Sequence, residues 1–428
     1  MTDVLSIAQA NSPLVGRLIV PGDKSIAHRA VLFNGFAQGE ALVSGVPDGG
    51  DVRSSIAAIR SLGAQVQETA NGVEIRGFAG SPKSRSTAID CGNSGTTIRL
   101  LMGLLAGCRG HFELDGDASL QRRPMERVAE PLRLMGAVLE TQQGRAPVRI
   151  KGCVLHGYDH EMSVASAQLK TALLLAGAAA SGRTSVREPL QSRDHSERML
   201  GAMGVSIANR DGVLEIQGPQ ILGAVDVAVP GDPSSAAFFC VAAAIVPGSH
   251  ITIDSVCLNP TRIGFATILS RMGADLNITQ TGTSGGEPVG TIEVRYNGRL
   301  APFTIDSDEV PGAIDELPIL AVAAATAQGR SRLRGAAELR VKESDRISQV
   351  ACLLEAMGAG VEQYPDGFDI DGVDPAGGAT VDADSDHRMA MSAAIAGLVC
   401  QQPLSIRDAA AASVSFPGFY NCLEKLRT

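Results

Sequence analysis

Five polar segments of this 428-residue chain combine fixed cations, hydroxyls and carboxylates in patterns suited to gripping anions. The first, Pro21-Gly-Asp-Lys24-Ser25-Ile-Ala-His28-Arg29, puts Lys, Ser and Arg at the predicted start of a helix. Free backbone N–H groups and the helix dipole already favour an anion there. A solvated loop capped by Asp23 is the plainer alternative. The second, Asp90-Cys-Gly-Asn93-Ser94-Gly95-Thr96-Thr97-Ile-Arg99, sets small and hydroxyl residues before an apolar run. A helix cap needs one such residue, not four, so the run predicts a binding turn in which Gly95 permits close backbone approach. Cys91 has no positioned base in the pattern and is expected to be a small buried thiol. In the third segment, GDASLQRRPM, Arg122 and Arg123 precede a proline and can fork onto carboxylate or phosphate. The fourth puts Ser163, Ser166, Ala167, Gln168 and Lys170 at another helix start, with Ser192-Arg193-Asp-His195 soon after. The fifth alternates carboxylates with cations: Asp315-Glu316, then Arg340-Val-Lys342-Glu343-Ser344-Asp345-Arg346, then Asp386-His387-Arg388. A run such as KESDR could be a solvated helix face with i,i+4 pairs. Here it lies between an apolar repeat and an apolar helix.

Something must hold these segments in place, and the sequence repeats the device six times. An apolar Ala/Leu-rich run, a small turn and a short alternating strand recur at 30–46, 100–116, 171–188, 238–256, 317–335 and 391–409. A second phrase, Met or Leu then Gly then a small residue, follows five of them, at Gly63, Gly136, Gly204, Gly273 and Gly358. The sixth is cut short at LEKLRT. Each copy has the length of a βαβ unit plus a hairpin. The helical runs are apolar on nearly every face, and a helix apolar all round is a buried one. That predicts an inverted α/β arrangement, with helices inside and sheets facing solvent. Asp232 or Ser234 is expected to cap one of these helices, and Ser163 or Ser166 another.

Six copies divide as three plus three, in line with two domains at this length. The phrase IVPGDKSIAHRA is echoed by DVAVPGDPSSAAFF, so Pro-Gly-Asp marks two hinge crossovers, near 20–24 and 229–233. The first domain is placed at 21–231, and the second at 1–20 plus 232–428. A net charge of −9 disfavours a nucleic-acid surface. The eight cysteines show no CxxC spacing, so neither a disulfide framework nor a zinc site is expected. No basic stretch leads into an apolar one at the N-terminus, and no apolar run is long enough for a bilayer. The expectation is a cytoplasmic protein without membrane contact.

PGDKSIAHR, GNSGTTIRLL, GDASLQRRPM, SAQLKTALLLAG, RVKESDRI and DHRMAMS together resemble the 5-enolpyruvylshikimate-3-phosphate (EPSP) synthases, in that family's order and along essentially the whole chain. The resemblance implies two similar inside-out α/β barrel domains of three βαβαββ repeats each. It implies transfer of the enolpyruvyl group of phosphoenolpyruvate to shikimate-3-phosphate on the route to chorismate, with no cofactor and no metal. It assigns shikimate-3-phosphate binding to Lys24, Ser25, Arg29, Ser166, Ala167, Gln168, Arg193, Asp315 and Lys342. Phosphoenolpyruvate falls to Lys24, Gly95, Arg123, Gln168, Arg346 and Arg388. Asp315 is the implied proton acceptor and Glu343 its acid/base partner, with Lys24 a competing donor. The two substrates bring roughly five to six negative charges, which the cations of these motifs offset. The empty protein is therefore expected to be open and to close on shikimate-3-phosphate.

The pattern also departs from the best-known members. Val414 stands where they carry Lys, and SRDH with GDASLQRRPM suggests the second, more glyphosate-tolerant branch. Gly95 nevertheless leaves room for glyphosate as an inhibitor. A monomer is expected. The nearest competing reading is a UDP-N-acetylglucosamine enolpyruvyl transferase, whose mobile loop carries a reactive Cys; the matching stretch 111–125 has none. An RNA 3′-phosphate cyclase would need a nucleotide-accepting His, for which only His387 lies in a strong motif, and a basic RNA path. A non-catalytic anion-binding scaffold would be expected to lack Asp315 and Glu343, and both are present.

Overall fold

Every residue of the helix Pro233–Ile245 is buried, as is every residue of Leu317–Ala325. The helices Lys24–Phe36, Gly95–Ala106, Ala167–Ala179 and His387–Gly397 are buried along nearly their whole length. These are the six apolar runs of the repeats, and their all-round burial is what an unbroken Ala/Leu/Val surface requires. The structure is a computed structural model that describes residues 4–84 and 87–427.

The chain forms two units. The N-terminal unit comprises Gly22–Pro230 with Thr283–Glu287, and the C-terminal unit comprises Met1–Pro21, Gly231–Gly282 and Pro288–Thr428. Within the N-terminal unit, Gly95–Ala106 packs against Lys24–Phe36 and Ala167–Ala179. A Cβ on Gly103 would lie 2.4 Å from the Ala172 carbonyl, so glycine is what lets two of these helices cross so closely. Within the C-terminal unit, Pro233–Ile245, Leu317–Ala325 and His387–Gly397 pack on one another in the same way.

Around each central helix the chain builds one sheet. In the second repeat Ile89–Asp90 runs parallel to Gly110–Asp115, with the buried helix as the crossover. Gly110–Asp115 then pairs antiparallel with Arg145–Gly152, and that strand with Val138–Gln142. Among the described residues, five sheets have this four-strand order, and the sixth has three strands. There Val4–Ile7 pairs antiparallel with Leu404–Arg407, taking the place that a hairpin strand holds elsewhere. The sheet of the sixth copy is thus completed by the strand Val4–Ile7. Strand alternation faces the core on one side: Ala146, Val148 and Ile150 are buried, while Arg145, Arg149 and Lys151 lie outside. The inverted arrangement expected from the sequence is the one observed.

The chain passes from one unit to the other at Pro21–Gly22 and at Pro230–Gly231. The Asp23 N–H donates to the Pro230 carbonyl at 2.8 Å, and the Asp232 N–H to the Pro21 carbonyl at 2.8 Å. The turn Thr283–Glu287 lies within the 232–428 span expected for the second domain, yet it packs with the N-terminal unit. Its Ser284 hydroxyl accepts from Ala228 N–H at 2.9 Å, and Glu287 is buried against His195 Nδ1 at 2.7 Å. Among the described residues, no helix is long and apolar enough to cross a membrane.

Candidate active site

In the N-terminal unit the motif residues gather at the starts of three buried helices. Asp23 caps Lys24–Phe36 through Ile26 N–H at 2.9 Å, Ser94 caps Gly95–Ala106 through Thr97 N–H at 3.1 Å, and Ser166 caps Ala167–Ala179. Asp23 is therefore a cap. Lys24 Nζ meets Asp51 Oδ2 at 3.0 Å. Burial opposes the Asp51 charge, but Lys24 outweighs it and holds the carboxyl below its ordinary range. Arg29 is buried, and neutral groups hold it: Nε donates to Ser196 Oγ at 2.7 Å, one terminal nitrogen to the Ser25 carbonyl at 2.9 Å, the other to Thr171 Oγ1 at 3.1 Å. Burial lowers its pKa to about 10, and Arg193 is close enough to contribute.

The small-residue turn of the second motif is fully employed. Asn93 accepts from Arg123. Thr96 Oγ1 accepts from Gln168 Nε2 at 2.9 Å, and Thr97 joins a chain from Ser94 through Ser55 to His28. Cys91 is buried, and burial pushes its thiol pKa up, so the thiolate is disfavoured as expected. A Cβ on Gly95 would lie 3.1 Å from a terminal nitrogen of Arg123 and of Arg99 alike.

In the C-terminal unit a second group surrounds Asp315, which lies just before the helix Leu317–Ala325. Lys342 Nζ and an Arg346 terminal nitrogen lie 4.0 and 3.7 Å from Oδ1, and an Arg388 terminal nitrogen lies 3.8 Å from Oδ2. None of these three is at hydrogen-bond length. Arg388 instead donates to the Asp315 carbonyl at 3.0 Å. Arg346 is fully buried and bonded to Asp386 at 2.8 and 3.2 Å and to Glu343 Oε2 at 2.6 Å. Burial works against its charge, yet Asp386 and Glu343 outweigh burial and raise its pKa. Asp386 also caps His387–Gly397 through Arg388 N–H at 2.9 Å. The KESDR run is therefore split: Lys342 makes the i,i+4 pair with Glu338 at 2.8 Å, while Arg346 faces inward. Burial lowers His387 to about 4, so its ring is neutral near pH 7.

Each unit thus brings its own motif residues together. Lys24, Ser25, Arg29, Gly95, Arg123, Ser166, Ala167, Gln168 and Arg193 belong to the N-terminal unit. Asp315, Lys342, Glu343, Arg346 and Arg388 belong to the C-terminal one. Val414 is exposed at the end of a short 3-10 helix of the C-terminal unit.

Sequence reasoning passed over the groups that hold these residues. Arg99 is the clearest: it is buried, donates to Gln168 Oε1 at 2.6 Å and to the Pro124 carbonyl at 3.2 Å, and burial lowers it to about 9. A single arginine inside an otherwise apolar helix was the available signal. Glu316 is another, buried against Ser234, which also accepts from Arg262 at 3.1 Å.

The sequence matches the family EPSP synthase (3-phosphoshikimate 1-carboxyvinyltransferase) over residues 8–423. A 3-phosphoshikimate 1-carboxyvinyltransferase of Acidithiobacillus ferrooxidans is 49% identical over 416 residues, covering 96% of this chain and 95% of the relative. One from Bacillus licheniformis is 44% identical over 419 residues, covering 97% and 98%. The solved EPSP synthase of Acinetobacter baumannii superposes with a TM-score of 0.94 at 41% identity, covering 99% of this chain and 98% of that one. The match runs through both units and the six buried helices of the repeats. This chain belongs to the EPSP synthase family.

Proposed function

We propose that this chain transfers the enolpyruvyl group of phosphoenolpyruvate to the 5-hydroxyl of shikimate-3-phosphate and releases phosphate. The observation that carries this reading is the near-full-length match to 3-phosphoshikimate 1-carboxyvinyltransferases. The charged groups such a reaction uses are all present.

The 5-hydroxyl attacks C2 of phosphoenolpyruvate while C3 gains a proton, giving a tetrahedral intermediate. Loss of the C3 proton and cleavage of the C2–O bond to phosphate then form the enol ether. This needs a base at the hydroxyl, an acid at the methylene, and cations on both substrates. In our reading Asp315 takes the hydroxyl proton, and Glu343 serves the methylene, with Lys24 as a competing donor. Lys24, Ser25, Arg29, Ser166, Ala167, Gln168, Arg193 and Lys342 hold shikimate-3-phosphate. Gly95, Arg123, Arg346 and Arg388 hold phosphoenolpyruvate, with Lys24 and Gln168 shared. Support comes from the local geometry: Arg29 is pre-oriented by hydroxyls and a carbonyl, and Asp315 stands among three cations. In this reading the enzyme works as a cytoplasmic monomer, and glyphosate competes with phosphoenolpyruvate.

Phosphate release measured with shikimate-3-phosphate plus phosphoenolpyruvate tests the proposal. Release is expected with this pair and not when UDP-N-acetylglucosamine replaces shikimate-3-phosphate. The reverse preference would overturn it.

A further inference from the structure

Two neighbouring residues of the helix Ala167–Ala179 meet two neighbouring residues of the helix His195–Ala202. Thr171 Oγ1 lies 2.5 Å from Ser196 Oγ, and both hydroxyls accept from Arg29. Beside this contact, Lys170 Nζ lies 2.7 Å from Glu197 Oε1 and 2.8 Å from Glu188 Oε2. The Lys170 side chain is 1% exposed. An ammonium is rarely buried this deeply without a structural or chemical reason, because losing water is costly even when ion pairs repay it.

The reason lies in what else the ammonium touches. Lys170 Nζ donates to the Ser192 carbonyl at 3.3 Å, and the Ser192 N–H donates to Glu188 Oε2 at 3.3 Å. Both backbone groups of the residue directly before Arg193 are therefore bound into the Lys170–Glu188–Glu197 cluster. The segment from Glu188 to Asp194 is neither helix nor strand, so no repeating ladder fixes it. One helix–helix contact thus holds Arg29 by its hydroxyl pair and the approach to Arg193 by its ionic cluster. The proposed reaction uses neither Lys170, Glu188 nor Glu197.

We propose that Lys170 is a positioning residue, clamping the Glu188–Arg193 loop so that Arg193 is set for the 3-phosphate of shikimate-3-phosphate. This rests on the function proposed above. A pre-set arginine loses less freedom on binding than a mobile one, so the clamp acts on affinity for the phosphate and not on the reacting atoms.

The test compares binding of shikimate-3-phosphate with that of shikimate, which lacks the phosphate, by titration calorimetry. Lys170→Met, Arg193→Ala and the double variant are measured beside the wild-type enzyme. Lys170→Met is expected to cut the preference for the phosphorylated ligand at least tenfold, with shikimate affinity held within about twofold and kcat at saturation within about threefold. In the Arg193→Ala background, Lys170→Met is expected to remove no further preference. Equal weakening of both ligands, or losses that multiply in the double variant, would overturn the proposal. If Lys170→Met does not fold, Glu197→Gln keeps the side-chain shape while loosening the clamp. It is expected to lower the preference about threefold, and an unchanged preference counts against the clamp. A wild-type enzyme that does not distinguish the two ligands refutes the functional reading itself, which is a separate result.

Discussion

The two units hold their cations by opposite means. In the N-terminal unit Arg29, Arg99 and Arg123 are held by hydroxyls, carbonyls and amides, while Lys24 is paired with Asp51 and Lys170 with Glu188 and Glu197. In the C-terminal unit Lys342, Arg346 and Arg388 are interleaved with Asp315, Glu343 and Asp386. Neutral partners orient a guanidinium without cancelling its charge, so the first arrangement keeps its attraction for phosphate. Carboxylate partners cancel the charge, but they bring groups that can accept and return protons. In the proposed reaction the same repeat, built twice in threes, supplies a cradle from one unit and acid/base groups from the other.

Asp315→Asn is the strongest way to break this comparison. If the C-terminal group does proton chemistry, kcat falls by roughly 10²–10⁴ while shikimate-3-phosphate affinity changes only a few-fold. Steady-state kinetics alongside ligand titration separates the two. A loss confined to KM would make both units mere binding surfaces. Arg29→Lys probes the cradle. It keeps the charge but loses the fork onto Ser196 and Thr171, a loss of about 1.5–3 kcal/mol for charge-assisted bonds. The expected result is a rise of about 10- to 100-fold in KM for shikimate-3-phosphate with kcat nearly intact. An equal fall in kcat would show that the cradle also shapes the transition state.

How much of this could be read from residues alone follows the same division. The six buried helices were legible because a run such as Ala236–Ile245 has no polar face to turn outward. The caps Asp232 and Ser166 were legible because a cap sits within three residues of its N–H partner. The roles of Asp315 and Glu343 came from family resemblance, since alternating charges on a loop also suit a solvated surface. The pairs that orient the site were not legible. Arg29 and Ser196 are far apart in the chain, as are Arg346 and Asp386, and only the crossover topology makes each pair neighbours. The turn Thr283–Glu287 gave no sign of its packing beyond two glycines, and a Gly-Gly turn suits any hairpin.

Each unit also buries a histidine beside its cations, and pH tests how alike they are. Burial lowers His28 from 6.5 to about 3, with Lys24 adding to the effect. Burial lowers His387 from 6.5 to about 4. Both stay neutral in the folded chain while the unfolded chain takes up a proton. Stability is therefore full above about pH 6.5 and falls as pH drops towards each folded value. At pH 5 the His28 contribution lost is about 2 kcal/mol, at about 1.4 kcal/mol per pH unit. Urea unfolding of His28→Gln at pH 7.5 and pH 5 should show a shallower acid loss by that amount. The folded value of His387 lies about one pH unit higher, so His387→Gln should flatten the profile by about the same amount down to about pH 5 and by less than His28→Gln only below about pH 4. Parallel profiles for wild type and His28→Gln would mean that His28 is not held neutral.

The smallest effect is expected where the residues proposed to hold phosphoenolpyruvate in the N-terminal unit meet at a glycine. A methyl group on Gly95 would stand 3.1 Å from a terminal nitrogen of Arg99 and of Arg123. Arg99 is buried and doubly bonded, so it cannot yield; Arg123 is half-buried and can shift by a few tenths of an ångström. Such mild overpacking costs about 1 kcal/mol, which predicts a rise of about fivefold in KM for phosphoenolpyruvate in Gly95→Ala. Glyphosate separates its phosphorus from its carboxyl carbon by four bonds, phosphoenolpyruvate by three. The longer ligand has less freedom to slide away from the new methyl group while keeping both ends bound. Its inhibition constant should therefore rise by a larger factor than KM does, and inhibition assays at several phosphoenolpyruvate concentrations read both. Equal factors would place the methyl group against the shared phosphate end alone, and unchanged inhibition would remove Gly95 from the ligand's surroundings.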